Sequence, residues 1–396
     1  MGGMRRNAGL FIVISVVAGF GSTAMSLVAG VWILDLTGSS SLAGLAGFCV
    51  FLPTLAGPWL GALVDRLPRR ALLIGVDLVL AAVLLTLLTV HSRQQAWLIY
   101  AVMLAYGISY VLLDAGESAL LPAALPPAAL GDVNGWRSSA QEGMKLIAPL
   151  TGAALYTWHG GPAVVLISAT APVLVAGLYT LVRLDRPAVT PARAKSRAAF
   201  GVLWGIRAVR VPVLVAGVTI AMSGFATAAL FATVTDRLGL PAATIGILSS
   251  AQGAGSLAGG LGVGRLLARF GPTRVAAAGA VIYAAGSLVQ NLFGWPVIIA
   301  GSVLIGIGLP WTLIAAITAV QTNTPDELLG RVSATAGTAM FGPNALAVPL
   351  GAAAVHLGSR PPMFIASAVA LAVAAYAYRR RGDPAQIALD RARVGG

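Results

Sequence analysis

The sequence predicts an all-α membrane protein with twelve transmembrane helices arranged as two pseudo-symmetric six-helix bundles. Three observations carry that expectation. The 396-residue chain is 58% hydrophobic and only 10% charged, with a mean hydropathy of +0.87, whereas a soluble domain is about half apolar and about a quarter charged. Apolar runs of about 20 residues, each long enough to cross a hydrocarbon core of roughly 30 Å as a helix, recur between short polar breaks. The chain also matches itself when shifted by 199 residues, Gly107 falling on Gly306. Spanning strands are excluded, because the runs are continuously apolar and lack the alternation of a membrane barrel.

The first span, 10–34, follows Arg5 and Arg6. It is too long for the apolar region of a secretory signal, and no small-residue cleavage site follows it. The span at 43–64 begins after the polar run Thr37 to Ser41 and stops at Asp65-Arg66; the next, 71–90, begins after Arg69-Arg70 and stops at His91. Span 96–121 precedes the proline-rich stretch "LPAALPP", and spans 134–157 and 161–183 are separated by His159-Gly160. Beyond a basic connector come 211–235, 242–266, 274–293, 296–320, 328–356 and 361–379, divided by Gly- or Pro-containing breaks.

Placing every second loop on one side gathers nearly all the loop arginines there and leaves Arg93, Arg237 and Arg360 opposite. Because basic loops stay cytoplasmic, both termini and the connector are expected inside a bacterial plasma membrane. This topology accounts for the net charge of +13 and the pI near 11 without a nucleic-acid partner. The expected organisation is a first bundle over 1–183, a linker over 184–210 with a short interfacial helix around Phe200 to Ile206, a second bundle over 211–381 and a tail over 382–396. The single Cys49 lies inside an apolar run, which excludes disulfides and cysteine metal sites.

The 199-residue shift lays Gly61-Ala-Leu-Val-Asp65-Arg66 on Gly260-Leu-Gly-Val-Gly264-Arg265 and Arg70 on Arg269. It also lays Pro126, Leu130, Gly131 and Val133 on Pro325, Leu329, Gly330 and Val332, and Gly152 on Gly351. One offset across separate segments means a duplicated six-helix unit, with parallel repeats about an axis along the membrane normal. Over nearly its whole length the chain resembles the major facilitator superfamily of secondary transporters. Gly61 to Arg70 is similar to that family's signature loop between helices 2 and 3, with Pro68 where a glycine is usual. The stretches "TPDELLGRVSAT" and "LPAALPPAALGDVNG" resemble the branch that includes macrolide and siderophore efflux proteins. Ala148-Pro149 and Gly152 resemble the helix 5 motif of superfamily antiporters, with Ala148 in place of its glycine.

In the signature stretch, Gly61 permits close helix packing and the arginines hold the loop inside. Thr324, Pro325 and Glu327 read as the capping box of a helix start, with Arg331 close by. The resemblance implies that Asp65 pairs with this helix 11 region when the cytoplasmic side is closed. Gly61, Asp65, Arg66, Arg70, Asp77 and Arg331 are therefore the expected conformational latch, with Asp77 beside Arg66 or Arg70. Plain topogenic charge is the competing explanation for Arg69 and Arg70. Pro149 and Pro349, at nearly equivalent places, are expected to bend their helices.

Ionisable groups within the hydrocarbon are costly and usually face a cavity. Asp35, Asp77, Asp114, Glu117, Arg137, Glu142 and Lys145 all lie in the first half. Asp114 and Glu117 share a helix face, and the next, antiparallel helix carries Arg137, Glu142 and Lys145. Proton-coupling sites are expected among Glu142 and Asp114 first, then Asp35, Glu117 and Lys145; a static ion-pair network between the two helices is the alternative. The second half offers Phe225, Phe231, Trp311, Phe341 and Asn344 to a substrate cavity, with ordinary packing the competing role. No metal or cofactor is expected, and without a P-loop sequence ATP is not the energy source. His91, His159 and His356 all fall at outer loop edges, so no catalytic constellation forms and no enzyme is expected. The resemblance implies a monomer working by alternating access. The expected activity is proton-coupled export of an amphipathic drug or secondary metabolite. Siderophore export, lysolipid flipping and solute uptake by proton symport are the alternatives on the same fold, and an intramembrane enzyme or sensor is a remote one.

Overall fold

The computed structural model describes residues 2–64, 67–183, 201, 203–292, 294–324 and 326–379. With no water in the hydrocarbon, each backbone amide must find its partner within the segment, and a helix is how an apolar run does this. Helix α1 spans Gly2–Thr37 and ends where Gly38, at φ 67°, donates its N–H to the Leu34 carbonyl at 2.7 Å, an end that a left-handed glycine makes. Helix α2 is three joined pieces, Ser40–Phe51, a tighter turn Leu52–Ala56 that contains Pro53, and Gly57–Val64. Its first turn is capped by the Ser39 side chain, which accepts from the Leu42 amide at 3.4 Å.

Helix α3 runs over Arg69–Leu85 and α4 over Ala96–Ala124. The helical stretch Pro127–Leu181 is broken at Gly160 (φ 74°, ψ −174°), which divides it into α5, 127–159, and α6, 161–181. Helix α7 covers Arg207–Phe225 and continues through Thr227–Ala232 into a wide helical turn at Thr233–Arg237. Then follow α8 (Ile245–Phe270), α9 (Pro272–Val289) and α10 (Trp295–Asn323). Helix α11 is interrupted, Asp326–Phe341 then Asn344–Ala354, and α12 spans Arg360–Arg379. These make twelve passes among the described residues. The short helix expected near 200–206 is visible at the described positions 201 and 203–205.

The chain sorts into two compact units, one holding 1–192 with 234–253, the other 193–233 with 254–396. In the first, α1 packs along α5 and α6 where side chains are smallest. A Cβ at Gly21 would stand 2.7 Å from Ala171 Cβ, and one at Gly152 would stand 3.1 Å from Ala24 Cβ. A Cβ at Gly107 of α4 would overlap the Val50 carbonyl of α2. Larger side chains fill the remaining interior. Met25, Trp32, Leu84, Ile99 and Met103 form one cluster, and Phe11, Leu73, Leu120 and Tyr179 another. Segment 234–253 joins this unit through Gly246, whose Cβ would lie 2.9 Å from the Pro149 carbonyl oxygen.

The second unit repeats the scheme. Gly351 of α11 meets the Phe225 carbonyl of α7, as Gly152 of α5 meets α1. Helices α9 and α10 approach backbone to backbone. A Cβ at Gly279 would lie 2.7 Å from the Gly308 carbonyl oxygen, and one at Gly286 would lie 2.7 Å from that of Gly301. Such approach suits a membrane, where packing and lipid entropy rather than water release drive helices together. Gly279→Ala and Gly286→Ala should each destabilise the protein by about 1–3 kcal/mol through overpacking. Gly260→Ala, at a glycine with open space around it, should leave stability unchanged or slightly raised. Thermal unfolding of the three purified variants in one detergent checks this, and equal melting points would refute the packing argument.

Candidate functional site

In the first unit a polar cluster forms inside apolar surroundings, with side chains from five of its helices. Arg137 of α5 makes an ion pair with Glu117 of α4, and their side chains are only 14% and 15% exposed. The same guanidinium donates from Nε to Ser15 Oγ of α1 at 3.1 Å and from Nη1 to Asn134 Oδ1 at 3.4 Å. The other Glu117 oxygen accepts from the Tyr179 hydroxyl of α6. Asp77 of α3 is 3% exposed and lies within electrostatic reach of Glu117 and of the Tyr106 and Tyr179 hydroxyls. Its Oδ2 has no hydrogen-bond partner among the described residues.

Local sequence explains each placement. Glu117 and Asp114 sit three residues apart on α4, so one helix face carries both. Gly116 beside them lets α3 close in, since a Cβ there would stand 2.7 Å from Leu73 Cδ2. Asp114 lies nearer the surface than Glu117 and still feels the Arg137 charge. Glu142 and Lys145 form a separate pair one turn apart on α5, at 2.6 Å, with side chains 32% and 52% exposed. Lys145 is therefore engaged on its own helix rather than across to α4. Asp35, near the end of α1, accepts from the Tyr156 hydroxyl at 2.8 Å.

Asp65 and Arg66 lie outside the described residues, as do the capping residue Pro325 and the side chain of Arg331; Gly61 lies in the last piece of α2. Asp77 is expected beside Arg66 or Arg70; Arg66 lies outside the described residues, and the hydrogen bond that Arg70 makes goes elsewhere. Arg70 donates to the Thr180 carbonyl and ties the start of α3 to the end of α6. The physical reason is axial distance. Seven residues put Arg70 and Asp77 on nearly the same helix face but about 10 Å apart along the axis, so Arg70 stands at the start of α3 while Asp77 lies two turns inside.

Three contributors had little or no signal in the sequence. Ser15 and Tyr179 are single polar residues in apolar runs, without the charge that marks a buried site. Asn7, 1% exposed, donates to the Ala124 carbonyl at 3.0 Å and the Arg183 carbonyl at 2.8 Å, and accepts from the Arg183 amide at 3.2 Å. It thus ties α1 to the ends of α4 and α6.

In the second unit, Phe225 packs with Ala221, Ala347 and Ala366, and Phe231 is also buried. Trp311 is half-buried and donates from Nε1 to the Gly259 carbonyl at 2.9 Å. Phe341 and Asn344 flank the interruption of α11. Asn344 is 3% exposed, and its Oδ1 has no hydrogen-bond partner among the described residues. Among the described residues no group of His, Cys, Asp and Glu gathers to hold a metal ion.

With this geometry in place, comparison with known proteins is informative. The family model described as Major Facilitator Superfamily matches residues 10–233 and again 213–394. Macrolide efflux protein A of Streptococcus pyogenes is 27% identical over 158 residues, 39% of each chain. The protein of the same name from Enterococcus faecalis is 27% identical over 150 residues, 37% of this chain and 45% of that protein. The matched stretch thus spans less than half the length of these relatives. A POT family transporter solved with 5-aminolevulinic acid superposes with a TM-score of 0.73 at 13% identity, covering 94% of this chain and 96% of that one. A D-xylose–proton symporter gives 0.72 at 13%, covering 93% and 97%. A bacterial homologue of the iron transporter ferroportin, inward-facing, gives 0.67 at 15%, covering 95% and 100%.

The Glu117–Arg137 pair is testable on its own. Arg137→Met leaves a buried carboxylate uncompensated and should cost roughly 3–5 kcal/mol, whereas joining it to Glu117→Gln should recover most of that loss. A double-mutant cycle read by thermal unfolding checks this; additive losses would show that the two groups do not act as a pair.

Proposed function

Because the chain belongs to the major facilitator superfamily, whose model covers both of its halves, we propose that it exports amphipathic small molecules by alternating access in exchange for protons. The observation that carries this reading is the buried cluster of the first unit. Asp77, Asp114 and Glu117 interact around the single guanidinium of Arg137, so the group holds more carboxylates than cations and protonation lowers its net negative charge. An unpaired carboxylate in hydrocarbon costs about 3 kcal/mol or more. Adding or removing a proton therefore changes the stability of the cluster enough to bias one arrangement of the surrounding helices over another.

The cluster is also suitably placed for such a bias. Arg137 contacts groups on α1 and α4 as well as its own helix, and Glu117 reaches α5 and α6. Moving any of these helices changes who solvates Asp77. Asp77 and Glu117 are thus the leading proton-linked groups, with Asp114 next along α4. Asp35 and the Glu142–Lys145 pair are more open and serve as secondary candidates.

Export of an amphipathic compound is supported by similarity to the two macrolide efflux proteins. It agrees with a second unit whose candidate residues are mostly aromatic. Phe341 and Asn344, at the interruption of α11, are the first of these to assign to a substrate wall, because an unpartnered amide oxygen can accept from a ligand. The distribution of basic residues among the loops supports a topology with both termini and the connector in the cytoplasm.

The test uses purified protein in liposomes with an internal pH dye, challenged with macrolides and lipophilic cations. Substrate-dependent proton flux opposite to substrate movement should appear in the wild type. It should fall at least about tenfold in Asp77→Asn and Glu117→Gln, within the range that loss of a proton-transfer group gives, and persist in Glu142→Gln. Undiminished flux in both variants would reduce the cluster to a structural role, and flux in the same direction as substrate would make the protein a symporter.

A further inference from the structure

The second unit contains a groove of about 660 Å³ between α9 and α12. That volume lies in the range of small-molecule sites, roughly 300–1,000 Å³, and greatly exceeds what a free phosphate would fill. Ala277, Ala374 and Ala377 are buried and floor it, while Val281, 46% exposed, and Leu371, 42% exposed, flank it. Arg274, from the first turn of α9, and Arg379, the last residue of α12, stand at one end with Thr273 and Tyr378.

The depth follows from helix geometry. Arg274 to Val281 is seven residues and Arg379 to Leu371 is eight, so the apolar channel runs about 10–12 Å from the arginines toward the bilayer interior. One end is cationic and the rest takes hydrocarbon.

The first unit treats the corresponding corner differently. There Arg70, at the start of α3, donates to the Thr180 carbonyl at the end of α6 and closes the corner with a hydrogen bond. In the second unit the start of α9 and the end of α12 each bring a guanidinium to the same groove. Both guanidiniums are exposed, so the mouth of the groove presents positive charge to the head-group region. The amino end of α9 adds positive character of its own, with Pro272 at its first position and its first amides unpaired within the helix. Alanines at 277, 278, 374 and 375 replace the bulk that would otherwise fill the seam between the helices.

We propose that this groove is a binding site for an anionic glycerophospholipid, with the phosphate held between Arg274 and Arg379 and an acyl chain lying over the alanine floor toward Val281 and Leu371. Basic pockets between transmembrane helices are a recognised place for anionic head groups. The site is independent of the transport reading, since none of its residues belongs to the polar cluster of the first unit.

Photo-crosslinking of the purified full chain tests it. A phosphatidylglycerol carrying a diazirine near the top of one acyl chain should label peptides covering 273–281 and 371–379. Labelling should exceed that by the matching phosphatidylcholine probe about tenfold, as two arginines at a membrane surface allow. The Arg274→Gln/Arg379→Gln double variant should fall to the phosphatidylcholine level. Ala278→Phe, which fills the groove and leaves both charges, should also lose the label while eluting as the same monodisperse species as wild type. Equal labelling by the two lipids, or undiminished labelling in the double variant, would overturn the proposal. Competition by glycerol phosphate as strong as that by unlabelled phosphatidylglycerol would overturn the lipid as occupant and leave an anion site alone.

Discussion

Hydrocarbon offers no water to a stray charge or a free amide, and the rest of this structure follows from that constraint. Backbone groups must pair within their own segments, so the chain is helix from pass to pass. Breaks occur where the chain has left the interior or where local chemistry repairs them, as at Gly160 between α5 and α6. Charges must find one another. Arg137 and Glu117 do so across α4 and α5, with Ser15, Asn134 and Tyr179 taking remaining donors and acceptors. The exception is Asp77, whose second oxygen lacks a hydrogen-bond partner among the described residues. In a soluble protein a trapped water could resolve such a group cheaply; here it lies within electrostatic reach of a second carboxylate, Glu117.

Without a hydrophobic driving force between helices, cohesion depends on how closely backbones approach. Glycines do this at defined crossings. Gly21 and Gly152 seat α1 against α6 and α5, while Gly279 with Gly308 and Gly286 with Gly301 join α9 to α10. A pair of glycines seven residues apart on each of two antiparallel helices returns nearly to the same face, so the seam is continuous. The same flatness would let helices slide without disengaging large side chains.

Much of this was legible in the sequence, for reasons that differ from element to element. The passes could be read because twenty apolar residues between polar breaks have one stable solution in a bilayer. The repeat could be read because glycines recur at one offset, and Gly107, Gly152 and Gly351 mark close backbone crossings where a side chain would collide. The site was less legible. Asp114 and Glu117 announce themselves by spacing, but which of them meets Arg137 depends on the rotation of α4 against α5. Lys145, a proton-coupling candidate or else a member of an ion-pair network between helices, pairs with Glu142 one turn away on its own helix. Asp77 looked like a neighbour of the signature loop, but two helical turns carry it about 10 Å along the axis from Arg70. Ser15, Tyr179 and Asn7 carry no charge and no spacing rule, so only their packing reveals them.

Duplication explains why one scaffold holds two such different interiors. Both copies keep the crossings that build a six-helix unit, since losing one of those glycines would force backbones apart. Charges are not needed for that purpose, and each copy is free to lose or relocate them. The first unit gathers its acids around Arg137 and closes the corner between α3 and α6 with Arg70. The second has Gly264 where the signature loop has Asp65, and it brings Arg274 and Arg379 to the groove between α9 and α12. On the proposed readings, a proton would complete the buried carboxylates of the first unit, and an anionic head group would sit between the two guanidiniums that line the groove of the second.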